Sequence, residues 1–389
     1  MNKLFGYYIV FLLGAFPLLS FLSIPYITIA YRAGTLLFGM LLLSYIVLSR
    51  GFYINKWVLG VCIFLFFYFL KLFYDFNYTN FDFGRDKLEL SLLIFSSLCF
   101  PMLVLLFSKP SFFDIPTITF NLFIVLLLVC IFSLISGIVF GFKYRLSGND
   151  ILNPISLGNY AVTCLMLGSF LSMFFYSSYG RIKKALLKLS FPISILCLLL
   201  SASRGPMLSA FTLLVVFLLI NKSGVFKNIL YLLLFLVLLS LAFIISESFF
   251  DTMFGRMSVN LDENDGEARV FLWKLAIMKF AEAPIFGSHT TTAYGYVHNV
   301  LLEILMATGI VGASGIIYIF YHAWKNLVFY IKTNNEKCIF GFLFLQYLIA
   351  AFFSGTVYTS DFLWISLSIF IIISGEKLVN GKSNYINNH

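Results

Sequence analysis

Four polar side chains late in the chain have types and spacing that suit work on an anionic substrate. Arg204 follows Ser203 between two apolar runs, and Arg269 begins a second polar region. An arginine guanidinium matches phosphate oxygens bidentately, and free N–H groups at a helix start add a favourable field. His298 and Glu303 come next, and either side chain can act as a general base. These residues predict an anion site beside a proton acceptor.

Both arginines also have structural explanations. Arg204 could set the membrane topology or extend its charged end to the membrane surface. However, Ser203 and Pro206 together favour a helix start, whose free N–H groups would face the same outer region as the Arg204 guanidinium. Arg269 could pair with Asp265 or Glu267, but a cation in the first turns of a helix opposes the dipole. Anion binding is the hypothesis for Arg204, and both explanations stay open for Arg269.

His298 and Glu303 lie at the start of another apolar run. Asn299 and Glu303 share a helical face at positions i and i+4, whereas His298 points elsewhere within the same two turns. A carboxylate so early in an apolar helix is costly unless it is paired or solvated, so we expect Glu303 to face a wet cavity. A lone histidine is more often structural than catalytic, but these neighbours favour a function.

Three further residues are possible substrate contacts, namely Arg85, Arg145 and Asn299. Arg85 and Arg145 would otherwise be solvated charges. No metal site is expected, because the acidic run at 262–265 lacks the spaced ligands of a calcium loop and the six cysteines lie in or beside apolar segments. No cofactor is expected either.

The composition places these residues in a membrane protein. Of 389 residues, 61% are hydrophobic and 11% are charged, and the mean hydropathy is +0.97. Such values exclude a soluble enzyme and predict a polytopic all-α protein that forms a single integral membrane domain, 1–389, with about twelve spans. The expected spans are Leu4–Ile24, Ala33–Leu48, Trp57–Phe73, Leu88–Phe107, Pro116–Phe140, Ile155–Tyr176, Leu189–Ala202, Met207–Ile220, Ile229–Ser246, Val300–Phe320, Cys338–Phe352 and Phe362–Ser374.

Charge distribution predicts the orientation. Basic residues are retained on the cytoplasmic side, and an N-terminus inside the cell puts most of them there and most acids outside. The C-terminus is then also cytoplasmic. The net charge of +9 is mostly this topological signal, so nucleic acid is not an expected partner, whereas anionic membrane lipid is.

One outer loop, 247–297, is by far the longest. Asp265 and Glu267 provide a helix start and Pro284 a stop, with a mainly apolar segment between them. We expect an ordered interfacial helix that lies over the mouth of the bundle. The long outer loop therefore carries Arg269 to the same membrane face as the other polar candidates.

The order of these motifs resembles the O-antigen polymerase and O-antigen ligase superfamily. The motif resemblance covers roughly Ser203–Gly312, and the hydropathy pattern extends it over the whole chain. The residues that carry it are Ser203-Arg204-Gly205, then Arg269, Trp273 and Pro284-Ile285-Phe286-Gly287, then His298-Asn299, Glu303 and Thr308-Gly309-Ile310-Val311-Gly312.

The resemblance implies a GT-C-like helical fold and a glycosyltransferase of the bacterial inner membrane that acts on the periplasmic side. Donor and acceptor would be undecaprenyl-pyrophosphate-linked oligosaccharides, without a nucleotide sugar or an essential metal. Arg204 and Arg269 would then bind the pyrophosphate, His298 would act as the base or position the acceptor, and Glu303 would support it. A chain-length regulator is a possible partner.

Three functions remain open. A polymerase would join repeat units by inverting transfer, and the few outer basic residues and many Phe and Tyr favour it. An O-antigen ligase would instead transfer glycan to lipid A core in lipopolysaccharide biosynthesis. A flippase or other transporter of lipid-linked oligosaccharides is the distant alternative, which would need polar groups along a path on both membrane sides.

Overall fold

A computed structural model describes most of the chain as a bundle of apolar helices. Within the described part, eight helices are long and apolar enough to cross a membrane, three shorter ones are also apolar, and no strand is present. The polytopic all-α prediction is confirmed. The described residues are 2–22, 26–49, 53–79, 83, 86–140, 146, 152–220 and 265–375.

Twelve helices in the described part are numbered in chain order. The first six are α1 (Asn2–Leu22), α2 (Ile27–Leu48), α3 (Lys56–Tyr78), α4 (Lys87–Leu106), α5 (Ile115–Phe140) and α6 (Pro154–Phe175). The others are α7 (Arg181–Ser201), α8 (Arg204–Ile220), α9 (Asp265–Glu282), α10 (Val300–Lys332), α11 (Cys338–Ser354) and α12 (Asp361–Ser374).

Every expected span within the described residues corresponds to an apolar helix, whereas Ile229–Ser246 lies outside them. Several boundaries were wrong. α3 continues past Phe73 to Tyr78, α7 begins at Arg181, and α10 continues to Lys332. An apolar run shows only which part of a helix can lie in lipid. The helix itself extends further, because its backbone hydrogen bonds continue until a residue that ends the helix.

α12 forms the centre of the bundle. Its residues from Leu363 to Ser374 are all buried, and it packs against α3, α4 and α11. A helix that is apolar on every side is suited to such a position. Its first residue, Asp361, lies at the end of the bundle where α3 and α11 finish and α8 and α10 begin, which we call the site end.

α10 is interrupted inside the apolar region. Gly309 has φ 61° and ψ −164°, which breaks the helix into two parts. The interruption is bridged by the segment 284–288, because Ile310 N–H donates to the Pro284 carbonyl at 2.8 Å and Ser288 N–H donates to the Met306 carbonyl at 2.8 Å. Backbone groups freed by the break therefore have partners, as a non-polar environment requires.

Two glycines permit this close backbone approach. A Cβ at Gly309 would lie 2.4 Å from the Ile285 carbonyl oxygen, and one at Gly287 would lie 2.4 Å from the Ala307 carbonyl carbon. Both residues also have positive φ. The Pro284–Gly287 and Thr308–Gly309 motifs are thus two halves of one contact.

We predict that Gly309→Ala destabilises the protein by about 1–3 kcal/mol, since a side chain there is strained and meets backbone. Thermal unfolding of the detergent-solubilised protein, followed by a thiol-reactive dye at its buried cysteines, measures the effect. Gly315→Ala on the same helix is the matched control, because its Cβ would meet nothing within 4 Å. Equal melting temperatures for the two variants would contradict the prediction.

Candidate functional site

Arg204 is exposed in the first turn of α8, as its motif predicts. The chain reverses direction there because Ala202 adopts a left-handed conformation with φ 46° and ends α7. Ser203 is 1% exposed, and its hydroxyl donates to the Ser201 carbonyl at 3.2 Å. The tight turn therefore holds Arg204 at the site end.

Arg269 is exposed in α9, which confirms the expected helix in the long loop. Its Nη1 donates to the Phe353 carbonyl at 3.3 Å, in the last turn of α11, where unpaired carbonyls form the negative end of the dipole. The side chains of Asp265 and Glu267, its alternative partners, lie outside the described residues.

The chain beside Arg204 and the side chain of Arg269 both lie against the end of α11. A Cβ on Gly205 would lie 3.9 Å from the Phe353 Cβ, so the residue after Arg204 lies against the same residue that Arg269 contacts. Helices α8 and α9, far apart in sequence, thereby begin beside the same residue of α11. Guanidinium groups suit phosphate oxygens, so an anionic group is the ligand chemistry that these two residue types favour.

His298 precedes α10 in a strained, left-handed conformation with φ 58°. Its ring centroid lies 4.1 Å from that of Tyr296, and its Nδ1 is buried without a hydrogen-bond partner. Burial, together with the positive charge of Arg269, lowers the pKa of His298. The neutral imidazole is therefore favoured, which is the form that can accept a proton.

Asn299 caps α10. Its Oδ1 accepts hydrogen bonds from the N–H groups of Leu301 and Leu302, both at 3.1 Å. The side-chain oxygen is thus engaged in starting the helix, and a second role in substrate binding would have to use its amide NH₂.

Glu303 does not face a wet cavity, and that expectation is wrong. The side chain is 0% exposed; its Oε1 accepts hydrogen bonds from the Tyr68 hydroxyl and, at 3.2 Å, from Val357 N–H. Its Oε2 is buried without a partner. Protein donors, rather than water, compensate part of the cost of burying the carboxyl group. Glu303 joins α10 to α3 and to the segment after α11.

Asp75, which no sequence motif indicates, holds the last part of the long loop in place, at His289 and Thr290. It is 1% exposed and lies 2.8 Å from His289 Nδ1, while its Oδ2 accepts from Thr290 N–H at 2.6 Å and Oγ1 at 2.7 Å. Lys71, one turn earlier, donates to the carbonyls of Phe286 and Gly287. Ionisable residues at i and i+4 in the apolar run of α3 were the available signal.

Arg85 and Arg145 lie outside the described residues, so the structure does not place them. In the part of the chain that it does describe, no three His, Cys, Asp or Glu side chains come together as a metal site would require.

We predict that Asp75→Asn loosens the segment 284–299. The substitution replaces one acceptor oxygen by an amide NH₂, and leaving a buried donor without its acceptor costs about 1–3 kcal/mol of stability. Hydrogen–deuterium exchange of peptides from this segment should become faster. Asn77→Ala is the control, since Asn77 donates to the Phe73 carbonyl of its own helix. Unchanged exchange in Asp75→Asn would show that this carboxylate does not anchor the loop.

A second prediction concerns the proton affinity of His298. Because its pKa is lowered, we expect diethylpyrocarbonate, which modifies neutral imidazole, to react with His298 down to a pH below the ordinary value of about 6.5. Arg269→Ala removes a positive charge and should move the midpoint to higher pH. Peptide mass spectrometry measures the modification, and Lys274→Ala removes a cation from the exposed side of the same helix as a control. Equal shifts in both variants would refute a specific effect of Arg269.

Comparison with known proteins adds independent information about the same region. No curated protein matches the chain. A family model described as O-antigen ligase matches residues 189–317, from α7 into the second part of α10, and this range contains Arg204, Arg269, His298 and Glu303. Over these residues, the chain is similar to the O-antigen ligase and polymerase superfamily.

Proposed function

We propose that the protein is a polymerase of surface polysaccharide in the bacterial inner membrane. It joins oligosaccharide repeat units that are linked to undecaprenyl pyrophosphate, on the periplasmic face and with inversion. The observation that carries this proposal is that Gly205, next to Arg204, and Arg269 both lie against Phe353 at the end of α11. His298 lies close enough for the charge of Arg269 to lower its pKa. The family match covers both arginines and His298 and supports glycosyl transfer as the reaction class.

The arginines bind the pyrophosphate of the donor. An acceptor hydroxyl attacks the anomeric carbon of the donor saccharide, a C–O bond forms, and the bond from that carbon to the phosphate oxygen breaks. Negative charge then develops on the departing pyrophosphate. Guanidinium groups already in position stabilise this charge more than the charge of the bound donor, and thereby lower the barrier.

His298 takes the proton of the attacking hydroxyl. Its neutral form is available at physiological pH because burial and Arg269 disfavour the cation. The strained backbone at this residue is typical of a position that function requires, and the Asn299 cap fixes where the helix after it begins.

Glu303 is a positioning residue in this mechanism. Its Oε1 ties the start of α10, directly after His298, to Val357 in the segment that follows α11. Tyr68 provides the second contact from α3. The carboxyl group thereby sets the separation between the base at the start of α10 and the Arg269 contact at the end of α11.

An O-antigen ligase is the second candidate, and the description of the matching family model favours it. A ligase would use the same donor chemistry and differ in its acceptor, which is the phosphorylated lipid A core. The chain has few additional basic residues in its outer loops with which to bind such an acceptor. This charge balance favours the polymerase.

The test is complementation of a strain that lacks this protein, with surface polysaccharide analysed by electrophoresis. We expect the wild type to restore a ladder of chain lengths. Arg204→Ala, Arg269→Ala and His298→Ala should lower polymerisation by about 10–100-fold, since each loses a charge-assisted or proton-transfer contact. Arg181→Ala, an exposed arginine at the opposite end of the bundle, should restore the ladder.

Protein levels are measured for every variant, so that lost expression is not mistaken for lost activity. Core with a single repeat unit in the deletion strain supports the polymerase. Bare core with accumulated lipid-linked polymer would identify a ligase, and single lipid-linked units retained on the cytoplasmic side would identify a flippase.

A further inference from the structure

A second polar region lies at the site end and is separate from the arginine pair. It is a cavity of about 540 Å³ between the starts of α2, α6 and α12, the first part of α4 and the end of α11. Ligand pockets of proteins have volumes of roughly 300–1,000 Å³, so the cavity could hold a small saccharide. Its polar lining includes Arg32, Glu89, Asn159, Thr359 and Asp361.

The charges of this cavity do not suit a phosphorylated ligand. Arg32 lies 3.9 Å from Glu89, so a carboxylate already neutralises the cation, and Asp361 adds a second acid. A pyrophosphate group would meet more negative than positive charge here. The cavity therefore differs in kind from the region of Arg204 and Arg269.

Its other groups suit a neutral, hydroxyl-rich ligand. The Asn159 Oδ1 is buried without a hydrogen-bond partner, and such an acceptor is costly unless a ligand or water donates to it. Carboxylate and amide oxygens accept bonds from hydroxyl groups. Tyr31, Tyr160 and Tyr347 also line the cavity, and their rings provide apolar faces with a polar tip.

The cavity and the arginine region share one wall. Phe353, whose carbonyl Arg269 contacts, is followed directly by Ser354 and Gly355, which line the cavity. Val357 N–H binds Glu303, while the next residue, Tyr358, also lines the cavity. The segment 354–360 thus lines the cavity and directly follows the residue that Arg269 contacts.

This wall is held rigidly. The Trp364 Nε1, from the central helix, donates to the Val357 carbonyl at 2.8 Å, so both backbone groups of Val357 are engaged. The Thr356 and Thr359 hydroxyls lie 2.7 Å apart within the same segment. A fixed segment of this kind can orient a ligand in the cavity relative to the arginine region, and such orientation favours a reaction between two bound ligands.

We propose that this cavity binds the acceptor saccharide of the transfer reaction, with Asp361 and Asn159 as its specificity-determining contacts. That the bound saccharide is the acceptor rests on the proposed function. Its chemical class, a neutral and hydroxyl-rich ligand, follows from the cavity lining alone. A neutral terminal sugar enters beside the segment 354–360, and its attacking hydroxyl reaches the donor along the edge of this segment that faces Phe353 and Arg269. The donor's charged group remains with the arginines.

The test measures saccharide binding without catalysis. The probe is the repeat-unit oligosaccharide that mild acid releases from the strain's lipid-linked pool, which keeps its terminal sugar. Full-length protein in nanodiscs is titrated with it, and saturation-transfer NMR gives the affinity. Asp361→Asn should weaken binding by about tenfold or more, because a charged acceptor of hydroxyl hydrogen bonds is lost.

Matched controls separate the cavity from the rest of the site end. Asp361 Oδ1 accepts a hydrogen bond from Phe362 N–H, and Asp86 Oδ2 accepts one from Leu88 N–H. Asparagine can keep this backbone contact at both positions. The Asp86→Asn protein should therefore bind the oligosaccharide as the wild type does. Ala350→Phe should block the cavity that Ala350 lines, whereas Ala33→Phe on an exposed position of α2 should not.

The outcomes distinguish this inference from the proposed function. Loss of binding in Asp361→Asn and Ala350→Phe, but not in Arg204→Ala, supports a saccharide site in the cavity even where the polysaccharide ladder identifies another activity. A wild type that does not bind the oligosaccharide overturns the inference. Equal binding by the wild type and both cavity variants also overturns it, and leaves the polymerase proposal standing if the ladder still depends on Arg204.

Discussion

The docking of the segment 284–288 against the interrupted helix α10 is the contact on which the site depends. A helix broken inside an apolar bundle leaves N–H and carbonyl groups that lipid cannot satisfy. Here the carbonyls of Pro284 and Ile285 accept from Ile310 and Val311, and the glycines at 287 and 309 allow the two backbones to meet. Because this segment directly follows α9, the same hydrogen bonds position the helix that carries Arg269.

Three further side chains extend this contact into a larger assembly. Asp75 and Lys71 of α3 hold the loop that leads to His298, and Glu303 of α10 binds Val357 after α11. Each is an ionisable side chain in a non-polar region, where polar contacts are costly to leave unmade. The loop that leads to His298 and the segment 354–360 therefore keep fixed positions relative to α10.

Much of the fold was predictable, because lipid imposes one strong rule on sequence. Apolar length identified the helices, and the starts of α8 and α9 followed from ordinary helix signals at Ser203 and Asp265. The ends of α3 and α10 were misplaced, since helices continue beyond the apolar run. Among the site residues, Glu303 was expected in a wet cavity, but Tyr68 and Val357 enclose it, and neither partner is near it in sequence.

The sequence by itself determined the class of protein, the helices and the residue types for anion binding and proton transfer, because these depend on local composition and periodicity. Only the tertiary structure decided that Gly205 and Arg269 meet at Phe353, that Asp75 anchors the loop, and that Asp361 and Asn159 line a common cavity. Such contacts join helices that are distant along the chain, and their geometry follows from how side chains pack in three dimensions, which no local pattern encodes.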